Sequence, residues 1–552
     1  MIFESEYHVE IPSIDLLSFL FSRTPFQDND PIWINPSNPA NHVTLAKARD
    51  LTHRIGQGYR DLGVGAEEAG KDIVLTYVEN QVMVAPNTLG VLCAGGVHAT
   101  CSVTATAFEL ARQIRLSGPK VLICSPRTRK AAEEAITQSN TDVRLVMMVS
   151  DSVDIVDTDD GKSIIGDRKL DWQRFTDPKV LQRTTACLVY SSGTTGVPKG
   201  VVTTHANIVA NLCQMAFFFD HFAQKAIREG VYLRMPGVMQ NAVAVGIYVQ
   251  TMLALQCGMQ VYMFPKYDFS SLMASIKKYQ LSACFIVPAI WNRILQECTR
   301  EDVASIRFAM SGASPLPLPL QLKVHDMLPD GVVLRVNWGM TETVTAASQP
   351  NVTEVDREGS SGRLLPNMQA VIMSPSGEKL GYDEPGELCI RGPNIIKEYF
   401  DNPEATRAAY TADGWFRTGD VAHFDRNGKL YIVGRSKELL KYKSFQVSPT
   451  EVESVLGQLP GIVDVGVIGV PDGQGNDLPR AYVVRSDKPP RLEEKDIHDF
   501  LNPRVSHYKR LRGSVRFVDE IPRNLNQKIM RDVLKQWVER EEGRKDNFKA
   551  RL

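Results

Sequence analysis

Between Tyr190 and Val201 the chain reads Tyr-Ser-Ser-Gly-Thr-Thr-Gly-Val-Pro-Lys-Gly-Val. Four hydroxyls (Ser191, Ser192, Thr194, Thr195), three glycines (Gly193, Gly196, Gly200) and the amine of Lys199 are compressed into this stretch. Glycine lets the backbone turn sharply and bring its N–H groups up to a ligand. The hydroxyls add donors, and the lysine adds a mobile positive charge. This is equipment for holding phosphate oxygens, although a solvated Ser/Gly turn is the plainer reading of the same composition. The pattern Gly-x-x-x-x-Gly-Lys-Ser/Thr is not matched, because Lys199 stands three positions after Gly196 and no hydroxyl follows it. An apolar run, Ala186 to Tyr190, reads as the buried strand that delivers the loop.

The whole chain narrows the field. Its 552 residues exceed what one core usually serves, so two or more domains are expected. With 63 basic and 64 acidic residues, nothing draws it to nucleic acid or an anionic membrane. Ten histidines include no His-x-x-x-His, and nine scattered cysteines include no Cys-x-x-Cys, so neither a zinc site nor a disulfide framework is signalled. A reducing, intracellular setting fits. Met1 to Glu10 lacks the basic and then apolar order of a signal peptide. The uncharged stretch Met235–Pro265 is interrupted by Gln240, Asn241, Gln250 and Gln256, and reads as a core helix and strand rather than a membrane span. The last residues, Ala550-Arg551-Leu552, vary the Ser-Lys-Leu peroxisomal address; without that address a cytoplasmic location is expected.

Strands are expected at Lys71–Tyr77, Lys120–Cys124 and Val143–Met148, alternating with helices, as in a mostly parallel sheet covered on both faces. After the loop, a helix opens at Thr204–Asn207 and runs to about Glu229. Further short strands at Ala283–Val287, Ile306–Met310 and Val332–Val336 end in Pro288, in Ser311-Gly-Ala-Ser314 and in Asn337-Trp-Gly-Met-Thr-Glu342. Ligands of open α/β sheets bind beyond the carboxyl ends of strands, so four strand ends with unusual chemistry predict one site. From about Gly362 short strands and Gly/Pro turns predict a small antiparallel barrel or sheet. A compact α+β module follows a boundary within Val433–Lys437.

Five blocks in order then carry a resemblance: YSSGTTGVPKGV at 190–201, NWGMTE at 337–342, GELCIRGP at 386–393, DGWFRTGD at 413–420 and GRSKELLKYKSFQV at 434–447. Over nearly its full length the chain resembles the adenylate-forming superfamily, and within it the 4-coumarate–CoA ligase type. The resemblance implies a large N-terminal α/β domain of layered, mostly parallel sheets over 1–434, with a β-barrel subdomain at roughly 362–434. A small mobile α+β domain at 435–552 would turn about a hinge near Lys437. Such enzymes use ATP and Mg²⁺ to convert a carboxylic acid into an acyl-adenylate, and most then pass the acyl group to coenzyme A. By the same resemblance Ser191, Ser192, Gly193, Thr194, Thr195, Gly196 and Lys199 wrap the terminal phosphates. Thr341 meets the α-phosphate, Glu342 holds Mg²⁺, and Trp338 lies against adenine. Asp420 and Arg435 take the ribose, and Lys528 bridges the acid and the α-phosphate. Lys441, Ser444 and Gln446 belong to the face used for thioester formation, and Met239, Gln240, Ser311, Ala313 and Asn337 to the acyl pocket. His205, which begins the helix after the loop, is read as structural or as support behind the site, with no chemistry assigned to it.

Departures keep one choice open. Ser444 stands where most members have glycine beside the pantetheine path, and Met239 where a histidine is usual. Asn526-Gln527 replace the Ser-Gly that usually precedes the lysine, and Asn337 replaces a small glycine, which favours a short or polar-substituted acid over a long chain. An acid–CoA ligase acting on an aryl, cinnamyl-like or short to medium acid is the leading expectation. Transfer of the activated acid to an amine, a separate carrier-protein thiol or oxygen is the alternative, and a non-catalytic scaffold is the third.

Overall fold

The computed structural model describes the chain except residues 150–152, 192–197, 229–231, 352–353, 443–444, 473–475, 487–490, 525–527 and 550–552, and except the side chains of 220–228, 445–446 and 542–549. A large N-terminal α/β portion of mixed sheets and helices precedes a smaller α+β portion.

The central sheet has seven strands. From one edge they are Lys199–Thr204, Thr185–Ser191, Val97–Thr100, Ile73–Tyr77, Val121–Cys124, Arg144–Val149 and Asp154–Asp157. The inner pairings are parallel, and an antiparallel strand closes each edge. Ile73–Tyr77 is buried at every residue, as expected of a parallel strand covered on both sides. Local signals agree with the fold. Thr106 and Glu109 form a reciprocal cap at the start of the helix Ala107–Ser117, and Gly118 in the left-handed region ends it.

The strand Lys199–Thr204 was not foreseen. It pairs antiparallel with Thr185–Ser191, so the glycine-rich loop joins the two arms of a hairpin, with Lys199 opposite Ser191. In the linear sequence Gly200 and Val201 read as the tail of the loop rather than as the start of a strand.

A second sheet orders Leu233–Gly237, Met259–Met263, Pro31–Ile34 and His42–Thr44. The expected core helix in the uncharged stretch is present, but as a π-helix, Val245–Leu253, running into Ala254–Cys257. Three parallel strands, Ala283–Phe285, Phe308–Ser311 and Leu334–Val336, make a third sheet. The antiparallel region is a five-stranded sheet, Phe3–Glu4, Gln369–Met373, Gly386–Arg391, Phe416–Phe424 and Leu430–Arg435, in which the chain's first strand pairs with the 369–373 strand. Beyond it, Ile462–Pro471, Asp477–Arg485 and Val515–Phe517 form a sheet with the helices Pro449–Leu456, Glu494–Leu501 and Arg531–Lys549.

Trp338–Gly339 is a two-residue strand paired with Ala346–Gln349. A Cβ added at Gly339 would lie 2.0 Å from the Thr345 carbonyl oxygen and 2.6 Å from the Ala346 Cα, so close strand contact requires glycine there. Gly339→Ala should lower stability by about 2 kcal/mol, as overpacking of a tight contact typically does. Urea unfolding midpoints measure this, and an unchanged midpoint would contradict the packing described.

Candidate active site

A cleft of about 2510 Å³ lies between the two portions of the chain. Its walls include Tyr190 and Ser191, Pro288, Ala313 and Ser314, and Asn337 to Glu342, so all four strand ends converge. Lys199, Asp420, Arg435, Lys437 and Lys528 complete it. Lys528 comes from the C-terminal portion, more than a hundred residues beyond the strand ends it faces.

Asp420 sits in the antiparallel strand Phe416–Phe424, paired with Arg435 of the next strand. It is 3% exposed. One carboxylate oxygen accepts from the Trp338 indole N–H at 2.9 Å, and the other meets Arg435 Nε at 2.7 Å. An ionised carboxylate offers about four lone pairs, so both oxygens keep capacity for further donors. Burial pushes the Asp420 carboxyl above its ordinary range, opposed by the Arg435 charge, the Trp338 hydrogen bond and the Lys528 charge. Trp338, read as an adenine-stacking ring, is thus also a donor to the carboxylate, joining positions 82 residues apart.

Lys528 is enclosed. Burial first, and Arg435 second, hold its ammonium below the usual lysine range, while Asp420, Glu438 and Glu342 act in the opposite sense. Its backbone N–H donates to Asn524 Oδ1 at 3.0 Å, and its carbonyl accepts from the Asn524 N–H at 2.9 Å. Asn524 therefore braces both sides of the lysine that the loop presents.

Thr341 and Glu342 lie on a single 3₁₀ turn, Thr341–Thr343. The next residue, Val344, has φ 68° and ψ −65° and is fully buried, and Thr345 N–H donates to the Thr343 carbonyl at 2.9 Å. This γ-turn is strained for a β-branched residue by roughly 1–3 kcal/mol. Ala313, exposed on the cleft wall, is also left-handed at φ 68°. Glu342 is 6% exposed, and its Oε1 accepts from the Tyr399 hydroxyl at 2.9 Å. Lys199 Nζ lies 5.0 Å from the centre of the Tyr399 ring. Burial, and then the Glu342 charge, push the Tyr399 phenol up, so it stays a donor. Tyr399 follows the GELCIRGP block, and nothing in its local sequence marks it; only the pairing of its segment with the Lys199 strand reveals it.

The expected acyl-pocket residues divide. Ala313 and Asn337 border the cleft, and a Cβ added at Gly312 would lie 2.3 Å from Asn337 Oδ1, so that glycine makes room for the amide. Met239, Gln240 and Ser311 are not on the cleft walls. Met239 packs among Val238, Ile286 and Val287, and its carbonyl accepts from Asn80 at 2.8 Å and Gln250 at 2.6 Å. Gln240 accepts from the Ser102 hydroxyl at 3.0 Å. Ser311 is buried, its hydroxyl without a hydrogen-bond partner among the described residues. Lys441 is exposed and off the cleft, its N–H bound to Asp477. Ser192, Gly193, Thr194, Thr195, Gly196 and Ser444, the Gln446 side chain, and the Ala550–Leu552 tripeptide lie outside the described residues. His205 is structural: its buried Nδ1 accepts from the Leu16 N–H at 3.1 Å, and burial pulls the imidazole down to about 4.

A profile for AMP-binding enzymes matches residues 26–400, and one for the AMP-binding enzyme C-terminal domain matches residues 451–528. The chain is 34% identical over 557 residues to a protein of Emericella nidulans named for acyl-coenzyme A synthetase activity, covering 98% of each. It is 32% identical to a phenylacetyl-CoA ligase of Aspergillus niger, covering 97% of this chain and 98% of that one. The anthranilate CoA ligase AuaEII, solved in complex with anthranoyl-AMP, shares the fold at a TM-score of 0.82 and 20% identity, covering 96% of this chain and 98% of that one. The chain belongs to the AMP-binding, adenylate-forming enzyme family.

Asp420 must be ionised to accept hydroxyl donors with both oxygens. With its pKa raised, that capacity is present above the pKa and lost as pH falls through it. Trp338→Phe removes one of the contributions that hold the pKa down, so the Asp420 carboxyl should take up its proton at a higher pH than in the parent. Calorimetric titrations across pH measure this; coincident acid limbs would contradict the role of the indole N–H.

Proposed function

We propose that this chain is an ATP-dependent carboxylic acid–CoA ligase acting on an aryl, cinnamyl-like or short to medium acid. The observation that carries this reading is the meeting of Lys528 with Asp420, Arg435, Thr341 and Glu342 in one cleft. A carboxylate is a poor electrophile until its oxygen is joined to a good leaving group. In the first step an oxygen of the acid bonds to the α-phosphorus of ATP, the bond to the bridging oxygen breaks, and pyrophosphate leaves. Lys528 sets a positive charge where negative charge accumulates, and Asp420 with Arg435 holds the ribose. Lys199, with the loop that precedes it, takes the terminal phosphates. In the second step the coenzyme A thiolate adds to the acyl carbon and AMP departs, leaving a thioester.

The donor set fits Mg²⁺. Glu342 is one buried carboxylate with Oε2 free of hydrogen bonds among the described residues, and no cluster of three or more acidic, His or Cys side chains stands ready to cage a metal among them. Mg²⁺ is commonly held by one or two carboxylates together with substrate phosphates. When bound there it would neutralise phosphate charge.

We further infer a division into 1–434 and 435–552 with a hinge at Lys437. In support, the Ser436 N–H donates to the Gly419 carbonyl, while Glu438 and Leu439 N–H groups turn back onto the Arg435 carbonyl. The exposed Lys441 would serve the second step after rotation about that turn, as would Ser444 and Gln446. Asn337 narrows the acyl end of the cleft and adds an amide to it. Ala550-Arg551-Leu552 supports a peroxisomal address, which a fluorescent reporter fused to these residues tests by its location.

Lys528→Ala should cut adenylate formation by roughly 10²-fold or more, as losing one charged transition-state contact does. It should spare thioester formation from a supplied acyl-adenylate. Equal loss in both steps would remove the assignment. The whole reading is tested by product identification with a panel of acids, with and without coenzyme A. Acyl-CoA plus AMP supports it; an adenylate that reacts with amines or a carrier-protein thiol but never with coenzyme A would replace it with the alternative acceptor.

A further inference from the structure

Glu342 and Lys199 reach the cleft from different elements, a 3₁₀ turn and a hairpin arm, yet one short segment touches both. The Phe400 N–H donates to the Gly200 carbonyl at 2.7 Å, and Tyr399 bridges Val201 in antiparallel fashion, so this segment lies alongside the strand that carries Lys199. Three residues earlier, the Ile396 N–H donates to the Glu342 carbonyl at 3.1 Å, and Asn394 Nδ2 donates to the Thr343 carbonyl at 3.0 Å. Backbone and side-chain bonds therefore fix residues 394–400 to both elements. From this strap the Tyr399 side chain, 8% exposed, gives its hydroxyl to Glu342 and its ring to the Lys199 ammonium.

We propose that Tyr399 is a positioning residue that aims the Glu342 carboxylate at a divalent cation and gives Lys199 an aromatic face instead of that carboxylate. This rests on the roles of Glu342 and Lys199 proposed above. A buried carboxylate and an ammonium with no ion-pair partner among the described residues, both set against one side chain, would otherwise be free to pair with each other. Such a pair would withdraw the carboxylate from a metal and the ammonium from phosphate at once. The phenol prevents both losses. Its hydroxyl takes Oε1 and leaves Oε2 for the cation, while its ring holds the ammonium electrostatically without neutralising it. Hydrogen-bond partners of metal ligands typically set metal affinity by about 10–100-fold. The same segment also braces the turn behind Glu342 against the strain at Val344.

The test uses Mn²⁺ as the probe, with free ion read by electron paramagnetic resonance in the presence of α,β-methylene-ATP, and AMP affinity measured separately without metal. Tyr399→Phe keeps the ring and removes only the hydroxyl. It should weaken Mn²⁺ binding by about 10-fold or more, the range for a lost ligand-orienting bond, and leave AMP affinity unchanged. Tyr399→Leu removes the ring as well and should also weaken the triphosphate analogue, with AMP affinity still unchanged. In a Glu342→Gln background, Tyr399→Phe should have no further effect on Mn²⁺, because the carboxylate it aims is gone. Parent-like Mn²⁺ affinity in Tyr399→Phe would overturn the proposal, as would a matching loss of AMP binding, which would mark a purely structural residue. A parent that binds the analogue but gains no Mn²⁺ with it would overturn the role of Glu342, and this inference with it.

Discussion

Asp420 is almost without access to water, and a charge so placed costs several kcal/mol or more unless donors surround it. The structure supplies two donors, from Trp338 and Arg435, and adds the positive charge of Lys528, from three places that are remote in sequence. Trp338 comes from the strand that leads to the Thr341–Thr343 turn, Arg435 from the last strand of the antiparallel sheet, and Lys528 from the C-terminal portion. Satisfying this carboxylate therefore sets the distance between the α/β sheets and the antiparallel sheet, and gives the C-terminal lysine a reason to enter the cleft. Lys528 is half-buried in turn, and its desolvation is partly opposed by the charges of Asp420, Glu438 and Glu342.

Around that centre the backbone is held tightly. Gly339 lets two strands approach closely, Val344 turns against its own preference, and the 394–400 segment ties the turn to the hairpin. Strain of this kind persists only where neighbouring bonds over-determine the geometry. Here they do, through Asn394, Ile396 and Tyr399. The result is a pre-formed arrangement of Thr341 and Glu342 on the cleft wall.

Much of this was legible in the chain. Apolar runs such as Ile73–Tyr77 and Val121–Cys124 read as buried parallel strands, because burial on both faces leaves no alternation to confuse. The polar and glycine clusters after the strands that end near Tyr190, Val287, Met310 and Val336 point to one cleft, and the cleft collects them. What escaped depends on partners distant in sequence. The Lys199–Thr204 strand is defined by pairing with Thr185–Ser191, and the first strand, Phe3–Glu4, by pairing some 365 residues away. A π-helix differs from an α-helix by one residue per turn, and periodicity in an uncharged segment does not separate them. Trp338 was legible as a flat ring but not as a donor, and Tyr399 was not marked at all. Met239, expected beside the acyl pocket, belongs to a buried apolar cluster with Val238, Ile286 and Val287, a placement that depends on partners distant in sequence.

Everything in this account turns on whether Lys528, Asp420 and the elements that carry Lys199, Thr341 and Glu342 form a centre that activates acids. Exchange of labelled pyrophosphate into ATP reports that step alone, before any acceptor is needed. The proposal predicts exchange that requires both Mg²⁺ and an added carboxylic acid, with aromatic or short acids preferred over long chains. A preparation that binds AMP yet shows no acid-dependent exchange with any aryl, cinnamyl or short to medium aliphatic acid would contradict it.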